Sequence, residues 1–198
     1  RFFDITEGTI RFGDIDIRDV SQKELRDRIG YVPQKGILFS GTIASNLRYA
    51  DESLSDEKME EALSVSQAKE FVDRMPNGVN EPIAQGGTNV SGGQKQRLSI
   101  ARALAKDAQV YIFDDTFSAL DYATDAKLRA ALAELITKKH ATVFIVAQRI
   151  SSIMHADKII VLDQGKMAGI GTHEELLKSC EVYQEIAHSQ LSREELGE

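Results

Sequence analysis

Four short apolar runs, separated by helical patterns, constrain the fold of this chain more than any other feature. The runs are rich in β-branched residues and apolar at consecutive positions, which is typical of buried parallel strands. They span residues 29–32, 110–113, 142–147 and 158–162. Helical patterns lie between and after them at residues 56–63, 94–105, 124–137 and 172–178. This alternation predicts an α/β fold with a largely parallel sheet flanked by helices.

Two segments depart from the alternation. Residues 9–17 predict a small antiparallel hairpin that turns at Gly13-Asp14, and residues 40–75 are mostly helical in pattern. We therefore expect a single domain over residues 1–198 that contains an inserted helical sub-domain at about residues 36–105. The last segment, residues 181–198, predicts an amphipathic helix that ends in charged residues.

Composition limits the classes of protein to which the chain can belong. With 42% hydrophobic and 28% charged residues among 198, it can build a sizeable core. Its formal net charge of -7 argues against a nucleic-acid partner, which requires a basic face. No apolar run reaches the roughly 18 residues that span a bilayer. The chain starts at Arg1 inside an apolar run, without an initiator Met, so we expect it to be a piece of a longer protein.

Cysteine and histidine give no sign of a metal site. Cys180 alone cannot form a disulfide framework or a Cys-rich zinc site, and a single cysteine fits a reducing compartment such as the cytosol. His140, His155 and His173 lack metal-ligand spacing, so we expect structural or solvated roles for them.

The most informative segment begins at Ser91-Gly92-Gly93-Gln94 and continues into a helical pattern. Serine is a favourable N-cap, and paired glycines leave the backbone N–H groups open to close approach. Exposed N–H groups and the positive end of the helix dipole bind anions, so this helix start predicts a phosphate site. Taken alone, the same residues also suit any capped helix that follows a flexible loop.

A buried strand follows, and it ends in the carboxylates Asp114 and Asp115. Open α/β sheets bind their ligands at the carboxyl ends of strands. This is the form of a Walker B strand, in which Asp114 holds Mg²⁺ through its water shell and Asp115 orients the water that attacks a γ-phosphate. A strand followed by an Asp-capped turn is the alternative for this segment alone. Its position just after the Ser-Gly-Gly-Gln helix favours the nucleotide site.

Together these segments resemble the nucleotide-binding domain of an ABC transporter over nearly the whole chain. Residues 91–94 resemble the signature motif. Gln34, in the run Tyr-Val-Pro-Gln, resembles the Q-loop glutamine, and Asp121, in the run Ser-Ala-Leu-Asp, resembles the D-loop aspartate. Residues 39–43 and the Asn-Leu pair at 46–47 are similar to the exporter branch of the family.

The resemblance implies a P-loop NTPase-like fold with ATP and Mg²⁺ as cofactors. It implies that Gln34 and Asp114 bind magnesium. It also implies that the nucleotide is contacted by Gln34, Asp114, Asp121 and the signature residues. It also implies a head-to-tail dimer with a second nucleotide-binding domain, in which each ATP lies between one subunit's phosphate loop and the other's signature. The remaining implied partner is the transmembrane domain of an exporter, which places the chain on the cytoplasmic face of a cell membrane.

Three departures from the family pattern decide the expected mechanism. No Gly-x-x-x-x-Gly-Lys-Ser/Thr phosphate loop occurs in the 198 residues, so we expect the isolated chain to bind ATP poorly. Asp115 stands where the family usually has Glu, and its side chain is one methylene shorter. Gln148 stands where the family's switch histidine is expected, which replaces a proton-transferring group with a neutral amide.

Both catalytic positions, Asp115 and Gln148, are therefore degenerate. A positioned general base contributes about 10²–10⁴-fold, so its loss raises the barrier by about 3–5 kcal/mol. Because the signature is intact, the pattern resembles one subunit of a heterodimeric exporter that has one degenerate and one competent ATP site. Two alternative functions are a soluble ABC-type ATPase of translation or DNA repair and a non-catalytic regulatory module.

Overall fold

A computed structural model gives the structure of residues 3–49 and 51–191. The chain divides into two compact units, one up to Val146 and the other from Ala147 onward. Within the described ranges the strands are β1 (Arg11–Phe12), β2 (Ile15–Asp16), β3 (Ile29–Val32), β4 (Gly41–Thr42), β5 (Pro82–Ile83), β6 (Val110–Asp114), β7 (Thr142–Val146), β8 (Ile159–Asp163) and β9 (Lys166–Gly171). The α-helices are α1 (Gln22–Asp27), α2 (Ile43–Arg48), α3 (Asp56–Val65), α4 (Lys69–Asp73), α5 (Gly92–Ala105), α6 (Tyr122–Lys139), α7 (His173–Ser179) and α8 (Glu181–Gln190).

A three-stranded parallel sheet in the order β3-β6-β7 organises the first unit. Tyr111 and Phe113 of the central strand are fully buried, at 0% exposure, on one face of the sheet. Gly30 of β3 lies against this face, and a Cβ atom there would be 2.6 Å from Tyr111 Cδ1. The sheet therefore requires glycine at position 30 in order to seat the tyrosine ring.

Helix α5 supplies the apolar surface that covers the buried face of the sheet. The apolar positions predicted for this helix are buried in the same core cluster as the aromatic side chains of β6. These positions are Leu98, Ala101, Leu104 and Ala105. The helix also contacts α2, α3 and β3. The apolar helical face predicted from the spacing of these residues is thus confirmed.

The second unit is a β-hairpin covered by two helices. β8 pairs antiparallel with β9, and the turn between them places Gln164 and Gly165 at positive φ. Ile159, Val161 and Cys180 belong to the core of this unit. A buried free thiol in an apolar cluster serves as a small apolar side chain.

Three of the strand predictions were wrong about the surroundings of the strand, including that for residues 29–32, in which Tyr31 is 44% exposed. Residues 158–162 were expected to form a buried parallel strand, but β8 is antiparallel and exposes Ile160 and Leu162 on its outer face. Residues 142–147 were also expected to be buried on both faces, but Phe144 and Val146 of β7 are each 53% exposed. An apolar run creates the tendency to bury a strand, but which faces are covered depends on the elements that pack against it.

Most other predicted elements are confirmed to within a few residues of their ends. The hairpin in residues 9–17 exists, although each of its strands is only two residues long. Residues 40–75 contain α2, α3 and α4, so this stretch is mostly helical as expected. Helix α8 covers the first part of the predicted tail, and residues 192–198 of that prediction lie outside the described residues. The sub-domain boundary at residues 36–105 stays a prediction.

Candidate nucleotide site

Two carboxylates at the end of β6 meet two polar side chains at the end of β3. The Tyr31 hydroxyl donates to Asp114 Oδ2 at 3.2 Å, and Gln34 Nε2 donates to Asp115 Oδ2 at 3.3 Å. β3 and β6 pair in parallel, so their carboxyl ends lie at the same edge of the sheet. The structure therefore brings three of the predicted site residues together: Gln34, Asp114 and Asp115.

Tyr31 is the member of this group that the sequence reasoning missed. Its hydroxyl pKa is raised, first by burial and then by the neighbouring Asp114 carboxylate, so it stays protonated at neutral pH and serves as a donor. Tyr31 and Asp114 are 83 positions apart in the chain, and no local pattern indicates their contact. The only available signal was the position of Tyr31 in the same run as the predicted Q-loop glutamine.

Asp115 adopts a left-handed backbone conformation, with φ 42° and ψ 34°. Its N–H donates to the Val146 carbonyl at 2.9 Å, and its carbonyl accepts from the Ser118 hydroxyl at 2.8 Å. Aspartate visits this region more readily than longer side chains, because its short polar group can hydrogen-bond to the nearby backbone. The backbone at the predicted catalytic position therefore suits the shorter acid.

The oxygen atoms at this edge fit a magnesium ion. Mg²⁺ takes oxygen ligands in octahedral geometry and usually combines one or two carboxylates with phosphate oxygens and water. Asp114 and Gln34 would hold the ion. Within residues 3–49 and 51–191, no group of three or more His, Cys, Asp or Glu side chains forms a metal site. An ion at this edge would complete its coordination with phosphate oxygens and water.

The predicted phosphate-binding segment is the start of α5, and it carries a reciprocal cap. Ser91 Oγ accepts from the Gln94 N–H at 3.3 Å, and Gln94 Oε1 accepts from the Ser91 N–H at 3.0 Å. A hydroxyl group has an O–H donor besides its lone pairs, so Ser91 can cap the helix and donate to an anion at the same time. Ser91 and Gly92 are exposed, and a Cβ atom on Gly92 would meet nothing within 4 Å. Among the described residues, the space next to Gly92 is therefore open to an anion.

Arg97, in the second turn of α5, links this helix to α4 and to the segment between α3 and α4. Its Nη1 donates to the Gln67 carbonyl at 2.9 Å, and its guanidinium lies 4.7 Å from the centre of the Phe71 ring. Burial lowers the pKa of Arg97, which nevertheless remains charged. The position of the signature segment therefore depends on α4 as well as on the sheet.

A polar seam, formed by Gln96, Ser99 and Arg102 of α5, joins this helix to the segment that follows Gln34. Gln96 Oε1 accepts from the Gly36 N–H at 3.0 Å, and Arg102 Nη2 donates to the carbonyl of residue 37 at 2.8 Å. In the part of the chain that the structure describes, three buried atoms of the seam lack a hydrogen-bond partner, namely Gln96 Nε2, Ser99 Oγ and Arg102 Nη1. The seam therefore attaches the segment after Gln34 directly to the helix that begins at Ser91.

Close packing in the polar seam leads to a prediction for Gly36→Ala. The new Cβ atom would lie 2.8 Å from Ser99 Oγ and 2.9 Å from Gln96 Oε1, so the free energy of unfolding is expected to fall by about 1–3 kcal/mol. Urea denaturation measures this change. Gly92→Ala is the matched control, with an expected change within about 0.5 kcal/mol, because the site around that glycine is open. Equal denaturation midpoints for the two variants would show that the seam has room for a methyl group.

Asp121 belongs to the first unit of the chain and Gln148 to the second. Asp121 is the N-cap of α6, with Oδ1 accepting from the Thr124 N–H at 3.0 Å and Oδ2 accepting from the Thr124 hydroxyl at 2.7 Å. These bonds, led by the one from the backbone, lower the pKa of the Asp121 carboxyl group. Gln148 belongs to the second unit, where its carbonyl accepts from Gln190 Nε2 at 2.8 Å. The nucleotide contact of Asp121 and the catalytic position of Gln148 stay predictions.

A parallel sheet with carboxylates at its carboxyl edge, together with an open, capped, glycine-rich helix start, is typical of nucleotide-binding α/β proteins of the P-loop NTPase type. Residues 1–118 match the family described as ABC transporter. The chain belongs to this family. It is 47% identical, over 193 residues, to an uncharacterized ABC transporter ATP-binding protein of Mycobacterium bovis. It is 41% identical, over 191 residues, to an ATP-dependent lipid A-core flippase of Albidiferax ferrireducens.

The fold is confirmed by a solved structure of a bacterial Atm1-family ABC exporter with ATP bound. That structure superposes with a TM-score of 0.91 at 35% identity, over 98% of this chain and 34% of the exporter chain. The two relatives are matched over 96% of this chain, which spans about a third, 32%, of the length of each. Among the described residues, no helix is both long and apolar enough to cross a membrane.

Proposed function

We propose that this chain is the ATP-binding and ATP-hydrolysing part of an ABC exporter, where it couples ATP binding and hydrolysis to transport across a membrane. The observation that carries the proposal is the open start of α5, where Ser91 is exposed and Gly92 leaves space for an anion. The names of the relatives, an ATP-dependent flippase and an ATP-bound exporter, support the same function. They favour an exporter over a soluble ATPase of translation or DNA repair and over a regulatory module.

The open helix start is proposed to act on the nucleotide of a second nucleotide-binding domain. In a head-to-tail dimer, the Ser91 hydroxyl and the N–H groups after Gly92 would face the partner's γ-phosphate. Donors fixed in advance at the point where charge develops lower the barrier to phosphoryl transfer. The Gln94 N–H donates to Ser91 Oγ and so restrains the Ser91 side chain, which means that little reorganisation is needed when the nucleotide arrives.

The carboxylate edge is proposed to serve this chain's own nucleotide. Asp114 and Gln34 would hold Mg²⁺, which supplies positive charge to the phosphates when it is bound. Asp115 would orient the attacking water, and Gln148 would stand in the position of a proton-transferring histidine. Because both catalytic positions are degenerate, this site is proposed to hold ATP and to hydrolyse it slowly, as one half of a heterodimer whose other site is competent.

Location follows from the same proposal. The chain would lie on the cytoplasmic face of a membrane, attached to the transmembrane domain of the exporter. Nucleic acid is not among the proposed partners, in line with the net charge of -7.

Binding of Mg-ATP tests the proposed function. The 198-residue chain contains no phosphate-loop motif, so isothermal titration is expected to show no binding in the micromolar range. The protein that carries this chain together with a phosphate loop is expected to sediment with membranes and, after detergent extraction, to bind Mg-ATP at micromolar concentration. Micromolar binding by the chain alone would contradict the expected need for the loop. Recovery of the whole protein without detergent would favour the soluble ATPase instead.

A further inference from the structure

Tyr31 places a hydroxyl group against the acid that the proposed function assigns to magnesium. Tyr31 pairs with Ile112 in the register of β3 and β6, and Asp114 is two residues further along the same strand. Side chains two residues apart point to the same face of a sheet. The phenol therefore reaches the Asp114 carboxylate along that face, and the donor and acceptor atoms are 3.2 Å apart.

Burial of the ring does not explain the tyrosine at position 31. Tyr31 is 44% exposed, whereas Tyr111 on the neighbouring strand is 0% exposed and donates to the Lys106 carbonyl. Tyr111 therefore contributes mainly to the core, and Tyr31 does not. The contact that distinguishes Tyr31 is the hydrogen bond to Asp114 Oδ2.

We propose that Tyr31 is a positioning residue for the magnesium site, where its hydroxyl holds the Asp114 carboxylate in the orientation that binds the metal. The inference rests on the proposed function, since it requires Asp114 to be the metal-binding acid. Groups that hydrogen-bond to a metal ligand restrict its orientation, and their removal costs about 10–100-fold in metal affinity or activity. Gln34 donates to Asp115 from the same strand end, so each of the two carboxylates has a donor from this segment.

Tyr31→Phe tests the proposal, because it keeps the ring and removes only the hydroxyl. The variant is made in the transporter that contains this chain, with the partner's nucleotide site disabled. Electron paramagnetic resonance measures the binding of Mn²⁺ in the presence of a non-hydrolysable ATP analogue, and binding of the analogue is measured separately in EDTA. We expect Mn²⁺ affinity to fall about 10-fold and metal-free nucleotide affinity to stay unchanged. A purely structural role would not produce this split.

Tyr49→Phe is the matched control. Tyr49 is 70% exposed and packs against Phe39, with ring centres 4.5 Å apart and the ring planes tilted by 35°, so loss of its hydroxyl is expected to leave both affinities unchanged. Wild-type Mn²⁺ affinity in Tyr31→Phe would overturn the proposal. An equal loss of metal-free nucleotide affinity would also overturn it, because the damage would then be general.

Asp114→Asn separates failure of this inference from failure of the proposed function. If Asp114→Asn loses Mn²⁺ binding while Tyr31→Phe binds it normally, only the role of Tyr31 is wrong. If Asp114→Asn binds Mn²⁺ as the wild type does, Asp114 is not the metal-binding acid, and both the role of Tyr31 and the magnesium assignment within the proposed function are wrong. Adding Tyr31→Phe to Asp114→Asn is expected to have no further effect, because the hydroxyl acts through this carboxylate.

Discussion

Gly92→Asp is expected to reduce the steady-state ATP turnover of the assembled transporter by about 10²-fold or more, because it places a carboxylate where the partner's γ-phosphate is proposed to bind. Ser91→Ala removes one donor at the same place. We expect it to cost about 10²–10³-fold in turnover, or about 3–4 kcal/mol. ATP turnover of the purified transporter, at equal expression and dimerisation, measures both effects.

Gly92→Asp is the more specific of the two tests, because the local structure tolerates it. Its Cβ atom would meet no atom within 4 Å, and an acidic residue in the first turn is favourable to the helix dipole. The variant therefore changes the charge at the anion position without opposing the fold. Ser91→Ala also removes the cap on the Gln94 N–H, which costs about 1 kcal/mol of helix stability.

Asp115→Asn is the comparison that identifies which site is competent. Asp115 is proposed to serve only the slow site of this chain, so its substitution is expected to change total turnover little. Turnover as low as that of Ser91→Ala would show that this chain contains a working catalytic site. The proposal of a degenerate subunit would then have to be dropped.

The second large effect is a gain of activity. In the transporter that contains this chain and a phosphate loop, Asp115→Glu combined with Gln148→His is expected to raise hydrolysis at this chain's own site by about 10²-fold, the lower end of what a positioned general base contributes. Single-turnover kinetics with the partner's site disabled would measure it. The left-handed backbone at Asp115 opposes part of the gain, because glutamate adopts this conformation less readily than aspartate.

The single variants show which position limits the rate. Asp115→Glu alone is expected to gain less than the pair, since Gln148 would still be unable to transfer a proton. If the pair gives no gain, something other than these two residues silences the site. A degenerate signature on the partner is one such cause. Restoring that signature would then raise hydrolysis at this chain's own site.

Local sequence determined the positions of most elements and the helix cap at the start of α5. The apolar runs located β3, β6 and β7 because β-branched and aromatic residues favour extended backbone in a sheet. Ser91 and Gln94 are three residues apart, which is the spacing of a reciprocal helix cap, and they form that cap. These features depend on neighbours within a few residues, so they can be predicted before the fold is known.

Tertiary structure decided which strand faces are covered and which distant side chains meet. β8 pairs with β9 rather than joining the parallel sheet, and Phe144 keeps an exposed ring although its run is apolar. Tyr31 meets Asp114 because β3 and β6, far apart in the chain, pair in one register. A hydrophobic pattern indicates how much free energy a segment gains by burial. It does not indicate the surface against which the segment packs, because the hydrophobic effect is non-directional. Hydrogen bonds are directional, and across such sequence distances only the assembled fold sets their geometry.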